Sequence, residues 1–369
     1  MAVWVLLVSF LSYSKYLKTT NVCKEDVKPT KITKGISMNL EQTAGAGDYK
    51  QVTQSNWPTE GYKFNTELSR CENGSTLSWD DSKKAVVMNG NVSDKCYVYF
   101  DKVLTLANYV ISQYTGIQGE NSLYYHDSNL ANGVGDNSYR YAGASDSVNN
   151  YICLGSDAAT CPDDNLFRII GVFGAQTKVI RAKSVGNQKW DTSSSNKWSS
   201  SSLNTYLNGT YLTSLGTLKN KIATTTWKVG GGTPANISEV VPATAYKNEV
   251  GSSASRTIVN KKIGLMYVTD YYYSASPSAW TLVGYNSSDA TKDYRAATST
   301  NWLYLGSTEW TISRDSDDTN YAFRVTSTGD VNFSIVDSRS FAVRPSFNLE
   351  SSVKYVSGSG SMSDPVRVN

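Results

Sequence analysis

Alternating apolar and polar positions recur along the chain and predict strands more often than helices. Residues 321–325 (Tyr-Ala-Phe-Arg-Val) and 331–335 (Val-Asn-Phe-Ser-Ile) have the period-two pattern of half-buried strands. In that register Phe323, Val325, Val331, Phe333 and Ile335 point inward, while Tyr321, next to a loop, is left open. Residues 166–173 and 177–182 are β-prone and separated by Gly174-Ala175-Gln176, which predicts a hairpin. Residues 222–227, 263–269 and 302–305 are further strand candidates. Nearer the start, residues 75–79 and 84–88 flank the turn-like Asp80-Asp81-Ser82, and residues 95–100 are strongly β-prone.

Helical spacing is confined to short stretches. Over 101–115, Val103, Leu106, Ala107, Val110, Ile111 and Tyr114 fall three or four residues apart. Asp101 can cap that helix and Gly116 lies just past its end. Residues 199–202 can cap a second, short helix carrying Leu203, Tyr206 and Leu207, stopped by Asn208-Gly209. The expected class is α+β. The expected organisation is a truncated membrane anchor at 1–20, a spacer at 21–48 and a small β-rich module at 49–101. A helix and linker follow at 102–149, then a C-terminal domain at 150–369. The apolar run from Met1 to Tyr13 is shorter than the ~20 residues of a membrane span and lacks a basic leader segment. An anchor, an uncleaved signal and a hydrophobic strand are the readings it allows, and the anchor is the one carried forward.

Composition narrows the partners. The net charge is +3 over 369 residues and no Lys/Arg block stands out, so nucleic acid is not an expected partner. The 25 Tyr and 9 Trp, with abundant Ser, Asn and Gly, match the residues favoured in binding loops. A β-rich extracellular protein with aromatic strands has the same composition. The five cysteines fall into two local pairs, Cys71 with Cys96 and Cys153 with Cys161, leaving Cys23 over. Two disulfides and an oxidising compartment follow. Without CxxC spacing and with a single His, no zinc site or other cofactor is expected.

Catalytic signatures are missing from the sequence. His126 stands alone in Tyr124-Tyr125-His126-Asp127, with no G-x-S-x-G elsewhere, and reads as a surface histidine. The glycines 230–232 lead into Thr-Pro-Ala, not the GK[ST] of a phosphate loop. The run 315–320 opens like a calcium loop, but Asn320 and Thr326 occupy the places of the required Gly and Glu. We therefore read a non-enzyme. Its candidate ligand contacts are Asp315, Asp317, Asn320, Tyr321, Arg324, Ser327, Asp330, Asn332, Ser334, Asp337 and Arg339, with residues 271–280 as the next place to look. Trp310, Arg314 and Arg344 are candidate frame residues, since planar guanidinium groups suit fixed multi-point contacts.

A family likeness rests on four segments in order: Ser202-Leu203-Asn204-Thr205-Tyr206-Leu207-Asn208, Ile263-Gly264-Leu265-Met266-Tyr267-Val268-Thr269-Asp270, Trp310-Thr311-Ile312-Ser313-Arg314 and Val343-Arg344-Pro345. Over residues 150–369 the chain resembles the C-type-lectin-like fold, in the group that includes formylglycine-generating-enzyme-like domains and bacterial surface domains. There, Trp-x-x-x-Arg and Arg-Pro segments sit on core strands. The whole chain is similar to surface proteins of gut Firmicutes, in which residues 62–100, 161–174 and the Gly-Ser-Gly…Asp-Pro ending recur. The resemblance implies a cell-surface domain. It does not imply calcium-dependent sugar binding, because Glu-Pro-Asn, Gln-Pro-Asp and Trp-Asn-Asp do not occur. Nor does it imply formylglycine-generating activity, because Cys153 and Cys161 lie at the domain's entry. The polar block between Arg314 and Arg344 is also similar to the display region of variable proteins of diversity-generating retroelements. The expectation is a non-catalytic bacterial cell-surface binding protein, membrane-anchored through its N-terminus, taking a protein or glycan ligand. The alternatives are a retroelement-diversified receptor or adhesin, and an extracytoplasmic hydrolase or modifying enzyme.

Overall fold

Strand Cys96–Lys102 organises the first part of the chain because its apolar residues fall on alternate positions: Cys96, Val98 and Phe100 are fully buried. The computed structural model describes residues 35–53, 56–58, 61–230, 232–250 and 257–369. The anchor expected at 1–20, Cys23 and the first half of the expected spacer, 21–34, lie outside them. The chain divides into two compact units at Leu104/Thr105. It is mixed α and β, as expected.

In the first unit Cys96–Lys102 pairs parallel with Ile36–Glu41 and antiparallel with Tyr62–Phe64 and Arg70–Cys71. Tyr49–Val52 adds to the far side of Ile36–Glu41. The expected spacer thus contains a strand inside the sheet, because Met38 and Leu40 are needed in a small core with Phe64, Val98 and Phe100. Thr76–Asp80 and Ala85–Asn89, close to the two expected segments, pair with each other as a two-stranded sheet of their own. Cys71 and Cys96 are cross-strand partners joined by a disulfide with S–S 2.01 Å.

The second unit is built on a nine-stranded sheet. Ile263–Gly264, Ser346–Asn348, Gln176–Arg181, Leu166–Phe173, Tyr151–Cys153, Val366–Val368 and Tyr355–Ser357 follow one another across it. The hairpin Leu166–Phe173/Gln176–Arg181 lies at its centre and is buried nearly throughout, which explains its almost unbroken apolar run. A second sheet, of five strands, runs Asn187–Gln188, Phe341–Ala342, Glu309–Arg314, Tyr321–Val325, Val331–Ile335. The second disulfide, Cys153–Cys161, closes a short loop beside Tyr151–Cys153.

Several boundaries move. The first helix is Leu106–Ser112, capped by Thr105, whose hydroxyl accepts from the Asn108 N–H at 3.1 Å. Asp101 instead continues the preceding strand. The stretch read as linker up to residue 149 holds a hairpin, Leu123–Tyr125/Tyr139–Tyr141, whose second strand pairs with Leu166–Phe173. Leu123, Tyr141 and Val148 join the main core, so the unit begins at Thr105 and not at 150. The short helix Ser202–Tyr206 has Ser201 as its cap, and helical turns continue past Gly209 to Ser214. Residues 302–305 form a turn, with Trp302 and Leu303 buried, and not a strand.

Many of the largest aromatic side chains go inside. Trp190, Trp198, Trp227, Trp280, Trp302 and Trp310 are buried, as are Tyr271, Tyr272, Tyr273 and Tyr294. Residues 271–280, the fallback recognition segment, therefore do not offer their large side chains to a ligand. Tyr271–Tyr273 lie on the buried helix Val268–Tyr273. His126 is corrected too. It is fully buried, edge-on to Tyr273 with ring centroids 5.0 Å apart and 5.2 Å from Trp280.

Candidate functional site

The hairpin Tyr321–Val325/Val331–Ile335 forms one edge of the five-stranded sheet. Its register places Tyr321 opposite Ile335, Phe323 opposite Phe333 and Val325 opposite Val331. Phe323, Val325 and Val331 are buried. Phe333, expected inward, is 36% exposed. It shares a face with Phe323, but it lies on the outermost strand, where less of the core reaches over it. Ile335 is likewise only half-buried. Tyr321 meets Phe333 edge-on at 5.4 Å, so an aromatic pair sits at the margin of this face.

The opposite face carries Ala322, Arg324, Asn332 and Ser334. Arg324 and Asn332 are direct cross-strand partners. The Arg324 guanidinium lies 5.1 Å from the Phe341 ring centroid, and its Nε has no hydrogen-bond partner. Partial burial lowers its pKa. The Asn332 side-chain oxygen accepts from the Phe333 N–H at 2.8 Å.

The remaining candidates divide between surface and frame. Asp317, Ser327 and Arg339 are exposed, and Asn320 is half-buried. Asp315 is buried, with its Oδ1 accepting from the Asp317 N–H at 3.0 Å. Burial raises its pKa. Asn196 fastens the same loop, donating to the carbonyls of Asp315, Asp318 and Tyr321 at 2.8, 2.6 and 2.9 Å. Asp330 is buried and accepts from the hydroxyls of Thr326 and Thr328. Asp337 accepts from Ser194. Asp315 and Asp330 are thus turn-forming carboxylates, corrected from ligand contacts. An inward Asp in a turn has the same sequence signature as an outward one.

The frame beneath is well tied. Trp310 is fully buried, and its indole N–H donates to the Gln188 carbonyl at 2.9 Å. Arg344 is buried and holds Glu309 through two hydrogen bonds of 2.7 Å, with a third at 2.6 Å to the Leu303 carbonyl. Burial pushes the Glu309 carboxyl above its ordinary value, against the pull of Arg344. Arg314 packs across Gly230, which has φ +95°; a Cβ there would fall 2.6 Å from the Arg314 Nε.

Charged residues that sequence reading left out lie deep in the second unit. Lys178 and Asp270 form a buried pair, and Glu249 accepts from the Val268 and Thr269 N–H groups at 2.8 and 2.9 Å. The available signal was a lone Lys inside a β-prone run, Thr177-Lys178-Val179-Ile180. Among the described residues, no three His, Cys, Asp or Glu side chains converge as metal ligands. No helix among them is long and apolar enough to cross a membrane. Comparison of the chain with protein-family models, curated proteins and solved structures gave no match.

Proposed function

We propose that this protein is a non-catalytic, extracytoplasmic binding protein of the bacterial cell surface. Its recognition surface is the outer edge of the 321–335 hairpin, carried on a C-type-lectin-like frame. The observation that carries the proposal is the division within one hairpin. The inner residues Phe323, Val325 and Val331 are locked in the core. The outer ones, Tyr321 and Phe333 on one face and Arg324 and Asn332 on the other, remain within reach of a partner. A rigid base with half-exposed Tyr and Arg suits recognition, since these residue types dominate binding energy. Intramolecular disulfides fit an oxidising compartment. Attachment through the apolar run at the N-terminus completes the proposal.

The test is capture of a ligand from glycan and protein arrays by the full chain, followed by the triple substitution Tyr321→Ala, Arg324→Ala, Arg339→Ala. Loss of capture with an unchanged circular dichroism spectrum is the expected result. A ligand held equally well by the triple variant would place the recognition surface elsewhere.

A further inference from the structure

Lys178 stands on the central strand Gln176–Arg181, and Asp270 on the helix Val268–Tyr273. Their side chains are only 6% and 3% exposed. The Lys178 Nζ lies 2.5 Å from the Asp270 Oδ2, hence no more than one C–O bond length further from Cγ. That approaches the separation of about 3–3.5 Å at which bound groups react. Three aromatic rings surround the amine: Tyr267 at 4.5 Å, Trp227 at 5.4 Å and Phe173 at 5.8 Å from Nζ to ring centroid. The Tyr267 N–H donates to the same Oδ2 at 2.8 Å, fixing that oxygen and polarising the carboxyl. Glu249 secures the N-terminus of the same helix, accepting from its first N–H groups and from Ser313 on strand Glu309–Arg314.

As an ion pair this arrangement gains little. Two charges held away from water cost about as much to desolvate as they recover by attraction, and apolar residues of similar size do as well. Joined covalently, the same atoms carry no charge and the desolvation cost disappears. We propose that Lys178 and Asp270 are a modification site, condensing into an intramolecular amide between Nζ and Cγ. The ammonium gives up two protons and the carboxylate one oxygen, which leave together as water. Nζ takes the place of that oxygen on Cγ, and no oxidant, reductant or cofactor is consumed. Burial already favours the neutral amine that must attack, because desolvation pulls the Lys178 pKa down. The aromatic surround keeps bulk water from reversing the step. The bond would tie the central sheet to a helix 92 residues away in sequence, clamping the core of an exposed protein against unfolding and proteolysis.

The full chain is folded, held at neutral pH until its mass is constant, then denatured, reduced, weighed and digested with trypsin. The expected result is a mass lower by one water and a branched peptide joining Lys178 to Asp270. Lys178→Arg, which keeps the ion pair but removes the nucleophilic amine, should have its full sequence mass and no branch. Recovery of Lys178 and Asp270 in separate linear peptides from the unaltered chain overturns the proposal. So does a loss of water without the branch, which would mean dehydration elsewhere. The unaltered chain decides by itself, whether or not the variant folds.

Discussion

Two hairpins of the second unit begin from similar β-prone sequence and end in opposite roles. Leu166–Phe173/Gln176–Arg181 lies at the centre of its sheet, and most of its polar side chains are drawn inward, where Arg168 and Lys178 find partners. Arg168 donates to Asn150 at 2.6 Å, to Ser145 at 2.7 Å and to the Val148 carbonyl at 3.0 Å. Lys178 meets Asp270. Tyr321–Val325/Val331–Ile335 ends its sheet, and its polar side chains Arg324, Asn332 and Ser334 are left partly open. The difference is cover. A central strand has buried faces and neighbours on both sides, so its polar side chains mostly find partners inside the protein. The last hairpin of a sheet can keep polar side chains at the surface, where a partner can reach them.

If this division is right, damage beneath the edge should be far costlier than damage on it. Trp310→Ala should lower stability by roughly 3–5 kcal/mol, as for a fully buried large side chain. Urea denaturation followed by circular dichroism measures this. A midpoint within error of the unaltered protein would make Trp310 dispensable to the frame. Arg344→Ala strands the buried Glu309 carboxylate and should cost roughly 3–5 kcal/mol. Arg344→Ala combined with Glu309→Gln should recover part of that loss, since no unpaired charge remains.

The frame should also respond to pH through His126, whose pKa burial depresses to about 3. A histidine with a lowered folded-state value is neutral in the folded chain, while the unfolded chain takes up a proton near pH 6.5. Its contribution is therefore complete above about pH 6.5 and is lost as pH falls toward 3. At pH 5 the loss should be about 2 kcal/mol relative to pH 8. His126→Gln should flatten that slope in denaturation curves at the two pH values. An unchanged slope would show that the imidazole is reached by water. A similar effect, about 2 kcal/mol through the unfolded chain, is expected on replacing Cys153 and Cys161 together by serine. Equal denaturation midpoints before and after that change would deny the loop a share in stability.

The sequence made the frame legible where one rule governed. Continuous apolar runs gave the central hairpin, alternation gave the edge hairpin, and local cysteine pairs gave both disulfides. It misled where tertiary cover decided. Phe333 has the spacing of an inward residue but lacks a neighbour to cover it. Asp315 and Asp330 look like display residues yet close turns from within. The strand Ile36–Glu41 was hidden because Ile-Ser-Met-Asn-Leu-Glu is a weak pattern that becomes a strand only through pairing with Cys96–Lys102, far along the chain. His126 looked exposed because its aromatic cage combines Tyr273 and Trp280, distant in sequence. Lys178 and Asp270, likewise far apart, left only an isolated lysine in an apolar run.

The smallest expected effect tests the edge itself. Phe333 is 36% exposed and sits at the margin of its face, so Phe333→Ser removes only part of a side chain's burial. The loss should stay below about 1 kcal/mol, set by the partial apolar area lost and the edge-on contact with Tyr321. Under the proposed function the same change should weaken ligand capture at least tenfold, which is about 1.4 kcal/mol of binding. Stability and capture then move by different amounts at one residue, whereas at Trp310 they should fall together through unfolding. A Phe333→Ser protein as unstable as Trp310→Ala would make the edge part of the frame. One that is stable and still binds fully would move recognition to the Arg324/Asn332 face, because Phe333 and Tyr321 share the other face and those two residues lie on its reverse.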